Sequence, residues 1–257
     1  MIACGYSELA EAALQVLADA TVAEFQAAHG RVPASELVVL ALGRLGGRAL
    51  THASDLDLIY LFTGDHLAES DGPRPLGATT YYNRLAQRVT AAMSVPTAAG
   101  KLYDVDTRLR PQGTQGPLVV TLDSFERYQR EEAWTWEHMA LLRARPVYGS
   151  DGAKEAVQRI FDDLLAPPRE AAKLARDAAE MRDKISAHKP PRGPLDIKGG
   201  PGGLVDLEFA MQVTQLASGQ CHDPNIGSAL ACLKASGLAP AEVCQAHALL
   251  ARMLVML

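Results

Sequence analysis

The chain is 257 residues long, 48% hydrophobic and 21% charged, with a formal net charge of -5 at pH 7. That length buries a real core in one large or two modest units, and the composition is that of a folded protein, not of a disordered or fibrous one. The acidic balance argues against unspecific nucleic-acid binding, and no apolar run approaches the ~20 residues that cross a bilayer.

The start of the chain spreads Glu8, Glu11, Asp19 and Glu24 through Ala and Leu, unlike a secretory signal. A cytoplasmic protein without nucleic-acid or membrane contact is expected. Cys4, Cys221, Cys232 and Cys244 show no Cys-x-x-Cys spacing, so reduced thiols are expected in place of zinc or disulfides.

Apolar positions at helical spacing over residues 8–28 predict a helix that Gly30 closes. Residues 36–42 and 56–62 are apolar runs rich in strand formers, joined by a loop that contains Gly43-Arg44-Leu45-Gly46-Gly47 and then Ser54-Asp55-Leu56-Asp57. Gly64, Asp65, Asp71, Gly72, Pro73, Pro75 and Gly77 forbid regular structure over 64–78, predicting an exposed excursion of topological use only. A helix is expected over 79–93, a strand over 101–109 that Arg110-Pro111 stops, and a short strand at Val119 and Val120.

Asp123 is the expected cap of a helix over 125–130. A further helix is expected over 132–143, with Trp134 packed in the core on the face of His138. Beyond Gly149 the composition turns helical, broken by Pro167-Pro168 and by 189–194. The organisation expected is a catalytic domain over 1–150 and a helical domain over 151–257, the last segment (241–257) ending in mid-pattern as a truncated chain would.

The alternation of a strand puts Asp55 and Asp57 on one face, beside a glycine-bearing turn whose backbone lets phosphates approach. Nucleotidyl transfer builds negative charge on attacking, bridging and leaving oxygens, and two magnesium ions held by about three carboxylates offset it. Asp104 or Asp106, on the second acidic stretch, supplies the third carboxylate.

Around them, Gly46, Gly47 and the Ser54 hydroxyl are candidate phosphate donors, and Arg108 and Arg110 candidate forked partners of a triphosphate. Ion pairing with the aspartates is the plainer use of Arg110. Lys198, in the glycine-rich turn 198–203 before an apolar helix, reaches a phosphate or serves a hinge. His138 as a general base is the weaker expectation, because metal can lower the pKa of a hydroxyl unaided.

Four segments together resemble the glutamine synthetase adenylyltransferase / adenylyl-tyrosine phosphorylase family: Leu42-Gly43-Arg44-Leu45-Gly46-Gly47, Ser54-Asp55-Leu56-Asp57-Leu58-Ile59, the stretch from Asp104 to Gly113, and Glu132-Ala133-Trp134-Thr135-Trp136-Glu137-His138. Asp196-Ile197-Lys198 and the stretch from Gly202 to Phe209 resemble its helical segment, so the likeness spans roughly 36–212.

The resemblance implies an α+β fold, a polymerase β-like nucleotidyltransferase domain built on a small mixed sheet flanked by helices, followed by a helical bundle. It implies transfer of AMP from ATP to a tyrosine hydroxyl of glutamine synthetase, with Asp55, Asp57 and Asp106 carrying two Mg2+ ions, in the adenylylating, carboxyl-terminal type of domain. A link to the PII signalling protein also follows from it. Arg44, Ala49 and Ala53 depart from the family wording, as does the turn around Gly199, Gly200 and Pro201. The rival expectations are de-adenylylating phosphorolysis by the same fold, uridylyl transfer to a PII protein, and a non-catalytic regulatory module that binds nucleotide or glutamine synthetase.

Overall fold

Two apolar runs organise the first part of the chain. β1 (Leu37–Ala41) is buried at every position, and β2 (Leu56–Phe62) at all but Asp57, so both are covered on two faces. They pair antiparallel from Leu37 opposite Phe62 to Ala41 opposite Leu58. The computed structural model describes residues 2–98, 100–193 and 195–256. Pro194 and Leu257, which end two of the segments read above, lie outside the described residues.

β5 (Arg145–Tyr148) lies on the other edge of β1, antiparallel to it. The free edge of β2 is shared lengthwise: β3 (Val105–Asp106) runs parallel to its first residues and β4 (Val119–Thr121) parallel to its last. Two helices cover the sheet, α1 (Ile2–His29) through Ala10, Leu14, Ala18 and Phe25, and α3 (Ala78–Ser94) through Tyr81, Tyr82, Leu85, Val89 and Met93. Between β1 and β2 the glycine-bearing turn forms one helical turn, α2 (Gly43–Gly46). The expected small mixed sheet with flanking helices is present, in an α+β protein.

The chain clusters into two compact units, residues 1–133 with 144–160, and residues 134–143 with 161–257. The second unit is helical. It comprises α5 (Thr135–Leu141), the end of α6 (Asp151–Leu165), α7 (Ala171–His188), α8 (Leu204–Ser218), α9 (Ile226–Ala235) and α10 (Ala241–Met256). Met211, Ile226, Ala229, Leu230 and Leu233 form a core within it. Among the described residues, no helix is long and apolar enough to cross a membrane.

Several local expectations are corrected. The strand expected over 101–109 shrinks to Val105–Asp106, because the Asp106 carboxylate accepts the Arg108 N–H at 2.8 Å and turns the chain at once. The helix α4 (Leu122–Glu131) is capped by Thr121, whose hydroxyl accepts the Ser124 N–H, and not by Asp123, which lies inside its first turn. Trp134 is 68% exposed instead of packed in a core. It precedes α5, and its N–H is taken by the buried Glu137 carboxylate at 2.9 Å.

The excursion at 64–78 is pinned down. Asp71 accepts the Arg31 N–H at 2.7 Å, Gly72 donates to His29, and the Tyr81 hydroxyl donates to Gly30. Gly30 and Gly72 face each other so closely that a Cβ on either would meet the other's backbone nitrogen at 2.1 Å. Cys221 and Cys232 form a disulfide where thiols were expected. The chain reverses after α8 through Gly219 and Cys221, both at positive φ, and this brings the two Cα atoms to 5.6 Å although they lie eleven positions apart in the sequence. Cys4 and Cys244 are free.

Candidate active site

The site is built by a register. β2 and β3 are parallel with Leu56 opposite Val105 and Asp57 opposite Asp106, so the two carboxylates stand side by side on strands about 4.8 Å apart. The Leu56 N–H donates to the Asp104 carbonyl at 2.8 Å and locks that register at its open end. Asp55, two residues before Asp57, is exposed at the mouth, while Asp57 and Asp106 are half-buried.

Arg108 reports the field of these carboxylates. Its guanidinium forks onto Asp106, Nε donating at 2.8 Å to one oxygen and 3.0 Å to the other, and one terminal nitrogen adds a further bond. The Asp106 hydrogen bond, and then its charge, hold the guanidinium above its ordinary pKa, and the charges of Asp57 and Asp55 push the same way. Three carboxylates thus act on one exposed cation. The Asp104 carboxylate takes the Lys101 ammonium at 2.5 Å. Among the described residues, no three His, Cys, Asp or Glu side chains are close enough to share one ion. Magnesium asks for less, one or two carboxylates with water and phosphate oxygens completing its octahedron, and a hard oxygen pair that already draws a cation fits it.

The glycine turn is placed differently from its reading. The Gly46 N–H goes to the Leu42 carbonyl at 2.8 Å and the Gly47 N–H to that of Gly43 at 3.1 Å, and both residues are buried, so as donors they close the turn. Gly43 is the glycine against the carboxylates. Its φ is +54°, and a Cβ there would lie 2.1 Å from Asp57 Oδ2. The signal was available in part, since Gly43 opens the motif, but its contact with Asp57 depends on the strand return, marked by the Leu42 N–H bonded to the Asp57 carbonyl at 2.9 Å.

Ser54 accepts the Thr51 N–H at 3.0 Å and lies 2.8 Å from the Thr51 hydroxyl, bracing the loop before β2. Arg110 donates to the Thr107 carbonyl at 2.8 Å and to the Pro117 carbonyl at 3.2 Å; it staples the loop after β3 instead of facing the aspartates. Lys198 belongs to the second unit. It is exposed, and its N–H is one of those that Asp196 accepts. Bonds from the backbone of Gly199, Arg192 and Lys198 hold the Asp196 carboxyl below the usual range. In the same unit His138 Nδ1 lies 2.7 Å from Arg169, a guanidinium whose pKa burial lowers.

The model of a family described as glutamate-ammonia ligase adenylyltransferase matches residues 2–160, more than half of the chain. The chain belongs to that family. Residues 173–257 match a second model, GlnD PII-uridylyltransferase. Proteins from Brucella suis biovar 1 (strain 1330) and Rhizobium meliloti (strain 1021), each described as a bifunctional glutamine synthetase adenylyltransferase/adenylyl-removing enzyme, are 49% identical over 213 residues and 43% identical over 235. These alignments cover 82% and 90% of this chain but 22% and 24% of the relatives. A protein of the same description from Xanthomonas axonopodis pv. citri (strain 306) is 44% identical over 236 residues, 87% of this chain and 25% of the relative. The chain therefore spans about a quarter or less of these family members.

Proposed function

We propose that this chain is a nucleotidyltransferase that moves AMP from ATP to a tyrosine hydroxyl of glutamine synthetase. The single observation that carries the reading is the register of Asp57 against Asp106, in a chain of the adenylyltransferase family.

Asp57 and Asp106 would hold Mg2+ from neighbouring strands, with Asp55 at the mouth as third carboxylate. When bound, two such ions neutralise charge on the attacking and leaving oxygens of an in-line displacement. The chain's own part is positioning and electrostatics. Gly43 leaves Asp57 the space its carboxylate occupies, and Arg108 turns from Asp106 to the phosphates, where its planar fork suits two oxygens. The tyrosine oxygen bonds to the α-phosphorus as the bond to pyrophosphate breaks, its proton passing to solvent. Domains over 1–150 and 151–257, a cytoplasmic setting and a PII link through the helical segment belong to the same reading.

The test is mass spectrometry of glutamine synthetase after incubation with this chain, ATP and Mg2+. A gain of one adenylate on a tyrosine, lost in Asp57→Asn, supports the reading, and an unmodified substrate in every arm rejects it. The match of 173–257 to a PII-uridylyltransferase model favours a second reading, uridylyl transfer to a PII protein. A parallel arm with UTP and PII decides between them.

A further inference from the structure

The α2 turn is four residues long, too short to hold itself. Backbone N–H groups of Gly47, Arg48 and Ala49 take the carbonyls of Gly43, Leu45 and Arg44, and one side chain adds bonds at the carboxyl end of the turn. Arg145 Nε donates to the Gly46 carbonyl at 2.7 Å and Nη2 to the Leu45 carbonyl at 3.2 Å. The far side of the same guanidinium is gripped by Glu11 of α1, at 2.5 Å and 3.4 Å.

Arg145 is placed for this by its strand. It opposes Ala41 across β1, at the end where Ala41 opposes Leu58, one residue from Asp57. A cation at the carbonyl end of a helical turn is electrostatically favourable, and the fork satisfies two carbonyls and a carboxylate at once, which a lysine cannot do. Both side chains are largely shielded, 18% exposed for Arg145 and 26% for Glu11, so water competes weakly for these bonds. The other end of α2 abuts Asp57: the Leu42 N–H donates to the Asp57 carbonyl at 2.9 Å, and a Cβ on Gly43 would lie 2.1 Å from Asp57 Oδ2. A displacement of the turn is therefore passed to Asp57.

We propose that Arg145, held by Glu11, is a positioning residue that fixes the α2 turn and through it the Asp57 carboxylate, and so sets affinity for the metal–nucleotide substrate. It touches neither substrate nor metal. The proposal rests on the nucleotidyl-transfer reading of the aspartates, so its test pairs a structural readout with a functional one.

Amide hydrogen exchange over 43–49 in the 257-residue chain is compared among wild type, Arg145→Lys, Arg145→Met, Glu11→Gln and the exposed-pair control Arg88→Ala. Exchange is expected to quicken about ten-fold in Arg145→Met and less in Glu11→Gln, with the control unchanged, as loss of a charge-assisted bond implies. The KM for ATP at limiting Mg2+ should rise by a similar factor while kcat changes little, with Arg145→Lys between the extremes. The double variant should be no worse than Arg145→Met alone.

Unchanged exchange in a folded Glu11→Gln chain overturns the proposal, as does a KM equal to that of wild type in an Arg145→Met chain that folds. If wild type itself transfers no adenylate, the nucleotidyl-transfer reading fails instead, and the exchange series still decides whether Arg145 holds the turn.

Discussion

Replacing Gly43 by alanine separates the chemistry of the site from the stability of its scaffold. At a φ of +54° an L side chain pays a left-handed penalty of about 1–2 kcal/mol. For a unit of this size that lowers the melting midpoint by roughly 2–8 °C. The local consequence is larger. The new Cβ would stand 2.1 Å from Asp57 Oδ2, and to restore an ordinary contact of 3.4 Å the carboxylate must give way by about 1.3 Å. A misplacement of that size in a catalytic group costs on the order of a hundredfold in rate. The assay is transfer of labelled adenylate to glutamine synthetase at saturating ATP and Mg2+, beside a thermal melt by circular dichroism. Gly43→Ala should remain folded, lose about two orders of magnitude in kcat, and cause no further loss in an Asp57→Asn background. A folded Gly43→Ala chain within about threefold of wild type would refute the claim that this glycine protects the position of Asp57.

Asp106→Asn should abolish transfer, whereas Asp104→Asn, which removes only the exposed partner of Lys101, should retain activity within a few-fold; steady-state rates of the two check the assignment of the third carboxylate. Burial raises the phenols of Tyr60 and Tyr82 to about 12, so the native state holds their protons after the unfolded chain has released its own. The stability they contribute is complete below about pH 10 and falls by up to ~1.4 kcal/mol per pH unit per phenol from there to about 12, which urea unfolding across an alkaline series would show. Alkylation of the unfolded, unreduced chain should add two groups, at Cys4 and Cys244, and four after reduction; four without reductant would contradict the Cys221–Cys232 bond.

The elements that local pattern specifies were legible. β1 and β2 announce themselves as apolar runs, and α3 by the helical spacing of Tyr82, Leu85 and Val89, because burial on a regular element leaves its period in the chain. Features decided by one particular side-chain contact were not. The alternation from 101 to 109 extends past the strand, and only the bond from the Asp106 carboxylate to the Arg108 N–H shows why β3 stops. Arg108 and Arg110 look equivalent as text, yet the strand ends at Asp106, before both, so they share no strand face, and one forks onto an aspartate while the other staples a loop. The two half-cystines give no nearby spacing to read, since their meeting depends on the reversal after α8.

The same distinction runs through the active site. That Asp55 and Asp57 share a side follows from strand geometry, but that Asp57 meets Asp106 depends on how the edge of β2 is divided between two short strands. β4 takes the last residues, Tyr60 to Phe62, and leaves the first two to β3; a slip of one residue there would set Asp57 against Thr107 or Val105 and turn one of the acidic side chains away. The Leu56 N–H to the Asp104 carbonyl and the Arg110 staple across the loop after β3 oppose that slip. Arg110, expected from the chain to bind phosphate or to pair with the aspartates, here donates to the carbonyls of Thr107 and Pro117, and Arg110→Met should lower transfer by loosening β3.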